Sequence, residues 1–330
     1  MPEIAIRCHA SHAKGMGHVY RQIHLAKILR DRGMGITFFI SDHPPSIQLL
    51  RKKKLCLEIL NDEEGLPPGK KGDFDLVILD LRDTQKDFIF KIRRRTGKVA
   101  SFEDLGPGRD HVDLLIDCNL NPTESRKVNP GVRTLFGLPH CVLAAEFEEY
   151  HRRSRSFMPG LESALVTMGG TDPNNLTLRL AETFMSSGRE LSVTFVLGPG
   201  FKEKEKADQL ASENPLFKVL TDVNDMADLL FSHQAVLCSG GVTLHEALAV
   251  GTPPFVISQV PHQQEKTRPI AKSGAAVNLG LAQDFDPRKI LQTLEIPQNQ
   301  LMDMSRKGKE LVDGHGIYRV ADAMQSLIAC

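Results

Sequence analysis

Residues 4–32, IAIRCHASHAKGMGHVYRQIHLAKILRDR, form the stretch of sequence that decides the fold. A short, mostly apolar run at 4–8 predicts a strand, and apolar side chains at helical spacing predict a helix over 17–32. Gly33 is expected to end that helix. A strand, a glycine-containing turn and a helix in this order are typical of a parallel sheet covered by helices.

The same alternation continues along the chain and predicts a second set of elements after residue 161. Strands are expected at 36–40, 76–79, 98–102 and 114–116, near Val142, and at 165–168, 192–197, 217–220, 235–238 and 254–257. Later helices are expected at 175–187, 202–212, 225–231, 243–250, 269–273, 287–294 and 318–328. We therefore predict an α/β fold of two Rossmann-like domains, 1–145 and 162–330, with a linker at 146–161 and a cleft between them. The last helix is expected to pack back on the first domain.

Composition disfavours several functional classes. Lysine plus arginine and aspartate plus glutamate each number 41 in 330 residues, so no net charge favours nucleic acid or anionic lipid. No apolar run reaches the roughly 18 residues of a membrane-spanning helix, and residues 1–15 do not resemble a signal peptide. The six cysteines are scattered without a CxxC pair, which disfavours a zinc site and is typical of the reducing cytoplasm, where we expect the protein.

The turn after the first predicted strand carries the candidate catalytic residue. It reads GMGHVYR at 15–21, which is neither a P-loop nor a full dinucleotide-binding turn. At the start of a helix, His18 can accept a proton from water or donate one to a leaving oxygen near neutral pH, and Arg21 lies on the same helical face. The alternatives are a histidine that only packs or caps the helix, and a metal ligand together with His9 and His12. We favour the role of His18 in proton transfer and expect no bound metal.

Three strand-end loops of the second domain are candidates for binding a diphosphate. They read GGTDPNN at 169–175, SGGVTLHE at 239–246 and PHQQ at 261–264. Backbone amides beside glycines and at helix starts bind phosphate oxygens, and Glu246 can accept hydrogen bonds from two ribose hydroxyls. In the alternative interpretation, Asp172 or Asn175 caps a helix and Glu246 compensates a helix dipole in the first turn.

These motifs together resemble a known family. GMGHVYR, VTMGGTDPNN, CSGGVTLHEALAVGTPP and HQQEKTRPIAKSG are similar to segments of the nucleotide-sugar hydrolase of the pseudaminic acid pathway and of its spore-coat polysaccharide relatives. That group is similar in fold to GT-B glycosyltransferases, including the enzyme that adds N-acetylglucosamine to form lipid II. The resemblance implies a GT-B fold, a nucleotide bound by the C-terminal domain, and release of UDP from a UDP-linked diacetamido-trideoxy sugar without a metal.

The resemblance also implies roles for individual residues. By position, His18 matches the family histidine proposed to activate water at the anomeric carbon. The expected substrate-binding residues are Gly17, Arg21, Asp80, Gly169, Gly170, Thr171, Asp172, Asn175, Ser239, Gly240, Gly241, Thr243, Glu246 and Gln263. Three positions depart from the family pattern: His262 replaces an asparagine, Asp80 is followed by Leu-Arg instead of an aromatic-containing segment, and 103–104 reads Glu-Asp instead of Asp-Asp.

The expected activity is hydrolysis of a UDP-linked, acetamido-deoxy sugar in cell-surface glycan biosynthesis, with no cofactor. A GT-B glycosyltransferase using a UDP-sugar donor is the first alternative, because fold alone does not fix the reaction. A non-catalytic nucleotide-sugar binding protein is the second. The expected partner is a UDP-sugar, with no nucleic acid and no integral membrane segment, and the sequence gives no oligomeric state.

Overall fold

The computed structural model describes residues 1–8, 16–60, 65–67, 69–119 and 127–329. It divides into two compact units, which we call unit 1 (Met1–Ala145 with Gly314–Cys330) and unit 2 (Glu146–Asp313). The segment 146–161, which we expected to be a linker, lies in unit 2 and begins with a helix. None of the helices in the described ranges is long and apolar enough to cross a bilayer.

Unit 1 is built on a sheet of seven parallel strands. The strands are β1 (Glu3–Cys8), β2 (Gly35–Ser41), β3 (Cys56–Leu60), β4 (Leu76–Asp80), β5 (Val99–Phe102), β6 (Leu114–Asp117) and β7 (Arg133–Phe136). Their order across the sheet is β3-β2-β1-β4-β5-β6-β7. The helices that follow are α1 (Gly17–Asp31), α2 (Pro44–Lys52) and α3 (Lys86–Ile92).

Both faces of this sheet are covered, which explains why its central strands are buried along almost their whole length. Side chains alternate along β1: Ile4 and Ile6 pack in the same cluster as α1 and α2, whereas Ala5 packs in the cluster that contains α3. Alternation at every second residue follows from the pleat of a strand. The first predicted strand is therefore the centre of a two-sided core.

Unit 2 repeats the architecture with six parallel strands. The strands are β8 (Ser163–Thr167), β9 (Ser192–Val196), β10 (Phe217–Leu220), β11 (Ala235–Cys238), β12 (Pro254–Ser258) and β13 (Val277–Leu281), in the order β10-β9-β8-β11-β12-β13. Its helices are α4 (Glu146–Arg152), α5 (Leu176–Ser187), α6 (Lys204–Glu213), α7 (Met226–Ser232), α8 (Val242–Val250), α9 (Pro261–Lys272), α10 (Pro287–Thr293) and α11 (Gln298–Leu311).

The strand order of each sheet fixes where a ligand can bind. In unit 1 the chain moves outward from β1 to β3 and then returns to place β4 on the other side of β1. In unit 2, β8 has the same position between β9 and β11. In open parallel sheets, ligands bind outside the carboxyl ends of the strands at this reversal. The loops after β1, β4, β8 and β11 are therefore the first places to look for a site.

The final helix, α12 (Gly316–Ala329), belongs to unit 1 and packs on α1. Ile317, Val320 and Met324 on its inner face are buried in the cluster that contains β1 and α1. The helix begins in close contact with the backbone of Cys141: a Cβ added at Gly316 would lie 2.1 Å from the Cys141 carbonyl oxygen. Only glycine fits at this helix start.

Some elements differ from those predicted. The strand expected near Val142 lies earlier, as β7. The strands β3 and β13 and the helices α3 and α11 were not predicted. The side chains of β3 are mostly exposed at the sheet edge, and β13 contains Asn278 and Gly280, so neither gives a strong apolar signal. Residues 261–264, expected in a loop, form the first turn of α9, which continues through Pro269.

We expect Gly316→Ala to destabilise unit 1, because the new methyl group would collide with backbone that cannot rotate away. The expected loss in the free energy of unfolding is about 1–3 kcal/mol, typical of overpacking. Urea unfolding followed by circular dichroism measures it. Gly97→Ala is the matched control, since its Cβ would meet nothing within 4 Å. Equal stability of the two variants would contradict the close packing at the start of α12.

Candidate functional site

In unit 1, the strand reversal brings the first turn of α1 to the end of β4. Asp80 is the last residue of β4 and pairs in register with Cys8, the last residue of β1. His18 and Arg21, one helical turn apart, both reach Asp80. The sequence thus places a histidine, an arginine and an aspartate together at the point where this sheet type binds ligands.

Asp80 is fully buried and receives four contacts from α1. Its Oδ1 lies 2.6 Å from His18 Nδ1 and 2.7 Å from Arg21 Nη2. Its Oδ2 accepts hydrogen bonds from Arg21 Nε at 3.0 Å and Gln22 Nε2 at 2.8 Å. Burial alone would raise the pKa of Asp80, but the charges and hydrogen bonds of Arg21 and His18 outweigh it and lower the pKa to about 2. The carboxylate is therefore ionised at any ordinary pH.

Arg21 joins this carboxylate to a second one. Its Nη1 donates to Glu103, which follows β5 and has a left-handed backbone with φ of 48°. The guanidinium also lies 5.1 Å from the centre of the Phe102 ring. Burial acts to lower the pKa of Arg21, but Asp80 and Glu103 raise it well above its ordinary value. We call these five residues, His18, Arg21, Gln22, Asp80 and Glu103, the Asp80 cluster.

Exposure differs sharply within the Asp80 cluster. The side chain of His18 is 25% exposed, whereas that of Asp80 is 0% exposed. His18 can therefore meet a solute, while Asp80 lies behind it with both oxygens occupied. The substrate contact expected for Asp80 does not fit this burial. His9 and His12, the other members of the metal site considered from the sequence, lie outside the described residues.

The second acidic residue of the Glu-Asp pair has a structural role. Asp104 is buried and accepts hydrogen bonds from Thr84 N at 3.0 Å and Gly106 N at 2.9 Å. It also accepts from Ser101 Oγ at 3.2 Å. Burial raises the pKa of Asp104 despite these bonds. Of the pair, only Glu103 belongs to the Asp80 cluster.

In unit 2, the loop after β8 depends on close contact between glycines. Gly169 has φ of 87°, which favours glycine. A Cβ added at Gly198, in the loop after β9, would lie 2.2 Å from the Gly169 carbonyl oxygen. Gly200 N donates to Gly170 O at 2.7 Å, and a Cβ at Gly200 would lie 2.8 Å from Thr171. The two loops can approach this closely only because Gly198 and Gly200 carry no side chains.

Asp172 has the capping role that the sequence left open. Its two carboxylate oxygens accept hydrogen bonds from Leu176 N at 3.0 Å and Thr177 N at 2.8 Å, at the start of α5. Gln259 Nε2 also donates to it at 2.8 Å. Asp172 is only 3% exposed, so it fixes the loop instead of offering a free carboxylate. Asn175 is exposed at the helix start, with φ of 50° and no side-chain cap bond.

The loop after β11 ends in a helix start without a side-chain cap. Gly241 is the N-cap of α8. Ser239 is buried, whereas Gly241 and Thr243 are partly exposed. Gly240 packs against α9, where an added Cβ would lie 2.9 Å from Gln263. Glu246 is the fifth residue of α8 and thus lies beyond its first turn, which disfavours the dipole-compensation alternative.

Gln259 links the loops of unit 2 and was missed by the sequence analysis. Its backbone N–H donates to Gln263 Oε1 at 2.8 Å, so the amide oxygen of Gln263 binds protein. Its side chain contacts Asp172 and also accepts from Asn174 Nδ2 at 2.7 Å. For Gln259, the available signal was a polar residue just after a buried strand. For the loop after β9, which was also missed, the signal was the Gly-Pro-Gly run at 198–200.

The structure thus brings the predicted residues together in two groups, one in each unit. Gly17, His18, Arg21 and Asp80 lie at the carboxyl edge of the unit 1 sheet. The loops at the carboxyl edge of the unit 2 sheet, and the helices α8 and α9 that follow two of them, carry Gly169, Gly170, Thr171, Asp172, Asn175, Ser239, Gly240, Gly241, Thr243, Glu246 and Gln263. Both groups are at the strand reversal of their sheet or one strand away from it.

Solved structures share this architecture over the whole chain. LpCGTa, in complex with UDP, covers 100% of the chain with a TM-score of 0.69 at 16% identity, and the chain covers 100% of it. MurG of Acinetobacter baumannii has a TM-score of 0.67 at 15% identity over 98% of this chain and 100% of its own. The fold is GT-B. Identities this low establish only the fold.

Two curated proteins are similar in sequence to this GT-B chain. The spore coat polysaccharide biosynthesis protein SpsG of Bacillus subtilis is 28% identical over 98% of both chains. The UDP-2,4-diacetamido-2,4,6-trideoxy-beta-L-altropyranose hydrolase of Campylobacter jejuni is 24% identical over 83% of this chain and 98% of its own. No protein-family model matches the chain. The resemblance inferred from the motifs is confirmed.

We expect the Asp80 cluster to make stability depend on pH in the acid range. The pKa of Asp80 is about 2 in the folded state, below its ordinary value of 3.8. The ionised carboxylate therefore stabilises the folded state at pH values above 3.8, and this stabilisation is lost as the pH falls towards 2. The contribution is about 2 kcal/mol at pH 7, and roughly half of it is lost by pH 3. Urea unfolding of the wild type and of Asp80→Asn at both pH values measures it.

The difference in free energy of unfolding between the wild type and Asp80→Asn should shrink by about 1 kcal/mol from pH 7 to pH 3. Asp113→Asn is the control, because Asp113 forms a partly exposed ion pair with Arg93 at 2.8 Å in the same unit. An Asp80→Asn difference that is equal at pH 7 and pH 3 would contradict the low pKa of Asp80.

Proposed function

We propose that this GT-B chain is a hydrolase that releases UDP from a UDP-linked, acetamido-deoxy sugar, with His18 as the general base. The observation that carries the proposal is the hydrogen bond between the partly exposed His18 and the buried, ionised Asp80. A histidine supported by a carboxylate is a common arrangement for accepting a proton from a nucleophile. Its position at the strand reversal of unit 1 supports contact with a ligand.

In this proposal, unit 2 binds the nucleotide. The uncapped start of α8 offers backbone N–H groups and the positive end of a helix dipole to the diphosphate. Gly170 and Thr171, held by the loop after β9, provide further donors beside it. Glu246, one turn into α8, accepts hydrogen bonds from the ribose hydroxyls. The complexes of GT-B proteins with UDP support the choice of nucleotide.

The chemistry follows from these two groups of residues. His18 takes a proton from water, and the water oxygen attacks the anomeric carbon of the sugar. The bond between that carbon and the β-phosphate oxygen breaks, so the products are the free sugar and UDP. Amide dipoles at the start of α8 stabilise the negative charge that develops on the leaving diphosphate. Similarity to the Campylobacter jejuni UDP-sugar hydrolase supports hydrolysis as the reaction.

Sugar transfer is the second candidate function. The neighbouring solved structures include glycosyltransferases such as the spinosyn rhamnosyltransferase SpnG, with a TM-score of 0.64. In that case His18 would accept the proton of an acceptor hydroxyl instead of water. Incubation with UDP-sugars in the absence of any acceptor separates the two, because only a hydrolase turns over rapidly under those conditions. A non-catalytic binding protein would bind UDP without turnover that depends on His18.

We expect His18→Ala to lower the rate of UDP release by roughly 10²–10⁴-fold, the contribution of a general base. The assay measures free UDP from a panel of UDP-sugars that includes UDP-N-acetylglucosamine and a UDP-diacetamido-trideoxy sugar. His111→Ala is the control, because His111 precedes β6 and therefore lies at the opposite edge of the same sheet. Unchanged turnover in His18→Ala would remove His18 from the mechanism.

We expect Gly198→Ala to weaken UDP binding by roughly tenfold or more, about 1.4 kcal/mol. Its methyl group would displace the loop at 169–171, because the added Cβ would lie 2.2 Å from Gly169 O. Isothermal titration calorimetry with UDP measures the affinity. Gly188→Ala is the matched control: its φ of 64° makes alanine strained, but its Cβ meets nothing within 4 Å. Wild-type affinity in Gly198→Ala would show that this loop does not bind the nucleotide.

A further inference from the structure

Two cysteines of unit 1 meet beside the Asp80 cluster, although they are far apart in the chain. Cys118 directly follows β6, and Cys141 lies between β7 and α12. Because β6 and β7 are neighbours in the sheet, the two Sγ atoms lie within 4.8 Å of each other, and the thiols share a hydrogen bond. Both residues are buried, and neither is in a disulfide. Their separation in sequence explains why no CxxC spacing predicts this pair.

A carboxylate lies next to this pair of thiols. Cys118 Sγ donates to Glu103 Oε1 at 3.9 Å, and the Glu103 side chain is 17% exposed. Zinc bonds to thiolate sulfur are about 2.3 Å long, so two sulfurs on one ion are about 3.8 Å apart in tetrahedral geometry and about 4.6 Å apart in linear geometry. The separations in unit 1 are close to these values. The three side chains therefore need only small adjustments to share one ion.

The local charge favours a divalent ion over a monovalent one. Asp80, Glu103 and Arg21 together carry one negative charge. The hydrogen bond with Cys141 and burial raise the pKa of Cys118 well above its ordinary value, so its thiol is protonated at neutral pH. A divalent ion that replaces two thiol protons leaves the net charge unchanged. A monovalent ion such as Cu⁺ would leave one more negative charge in a buried place, which is costly.

We propose that Cys118, Cys141 and Glu103 form a site for a thiophilic divalent cation of the zinc type, contained within unit 1. Zinc accepts both sulfur and carboxylate oxygen, and three protein ligands leave its fourth position to water. On binding, two S–H bonds are replaced by two S–Zn bonds, and both protons pass to solvent, so the affinity rises with pH. The backbone of Cys141 is fixed by its close contact with Gly316.

The bound ion and Arg21 compete for the same carboxylate. Arg21 donates to Glu103 through Nη1 and to Asp80 through Nη2 and Nε. Zinc on Glu103 takes away one of the two carboxylates that hold this guanidinium, next to His18. Zinc should therefore inhibit the release of UDP. This inhibition rests on the proposed function, whereas zinc binding itself does not.

The test measures metal binding directly on the full-length protein, kept reduced with a phosphine. Zn²⁺ is titrated in competition with a chromophoric chelator, which gives stoichiometry and affinity. Cd²⁺ is a second probe, because its ultraviolet charge-transfer band reports the number of thiolate ligands. The variants are Cys118→Ser, Cys141→Ser and Glu103→Gln. Cys56→Ser is the matched control, since Cys56 is exposed at the start of β3, at the opposite edge of the same sheet.

The expected result is one zinc ion per chain in the wild type and in Cys56→Ser, and a cadmium band for two thiolates. Each serine variant at 118 or 141 should weaken zinc binding by roughly 100-fold or more, because even the loss of an outer partner costs roughly 10–100-fold. Glu103→Gln should weaken it by roughly tenfold. Wild-type zinc affinity in either serine variant would show that the ion binds elsewhere and overturns the proposal. Absence of a thiolate band in the wild type also overturns it, and that measurement needs no variant to fold.

The same proteins separate this inference from the proposed function. In the assay of UDP release, zinc should inhibit the wild type at concentrations that leave the rate of Cys118→Ser unchanged, and equal inhibition of both would contradict the competition for Glu103. If zinc binds through two thiolates but no UDP-sugar is hydrolysed, the metal site stands and the proposed function fails. If hydrolysis depends on His18 but cadmium gives no thiolate band, the proposed function stands and the metal site is wrong.

Discussion

A carboxylate with no access to water needs a hydrogen-bond donor for each oxygen, and in unit 1 one helix face supplies all of them to Asp80. The helix must start at a fixed place for this to happen, because His18, Arg21 and Gln22 reach the end of β4 only from the first turns of α1. Removing water from an ionised group costs several kcal/mol, and the cost is recovered only with complete pairing. The rest of unit 1 fixes where that helix starts relative to Asp80: β1 and β4 are neighbours, and both faces of the sheet are covered.

Unit 2 has the same kind of strand reversal, but its loops are held together in a different way. In the proposed function its loops bind a diphosphate through backbone amides, which requires two chain segments to approach each other closely. Gly198 and Gly200 allow the loops after β8 and β9 to touch, while Asp172 ties one of them to the start of α5. One unit therefore relies on side chains of opposite charge, and the other on the absence of side chains.

The sequence predicted the parts of the fold that depend on local pattern. The central strands and the helix after GMGH were predicted because their apolar residues recur with a regular period. Edge strands such as β3 were missed because an edge needs few apolar side chains. In the candidate site, His18 and Arg21 were predicted from a motif, and the Glu-Asp pair was noticed at 103–104. Their connection through a buried Asp80 was not foreseen, since it joins residues 59 and 62 positions apart.

The roles of Gln259 and Gly198 were also beyond the sequence. Both roles depend on contacts between loops that follow different strands, and neither a glutamine nor a glycine in the sequence predicts such a contact. Asp172 is the opposite case, because its position in the sequence allowed either helix capping or ligand binding. Its burial and its hydrogen bonds from Leu176 N and Thr177 N favour capping. Tertiary contact, more than local pattern, separates structural from functional polar residues here.

Unit 1 is discontinuous, and this affects the order in which the chain can fold as it leaves the ribosome. Residues 1–145 emerge first, but their partner α12 is made only after all of unit 2. At the usual 5–20 residues per second, this delay is on the order of ten to thirty seconds. During it, the part of α1 that packs on α12 lacks its cover, whereas unit 2, encoded without interruption, can complete itself. Nascent unit 1 is therefore the part of the molecule with the greater need for chaperone protection.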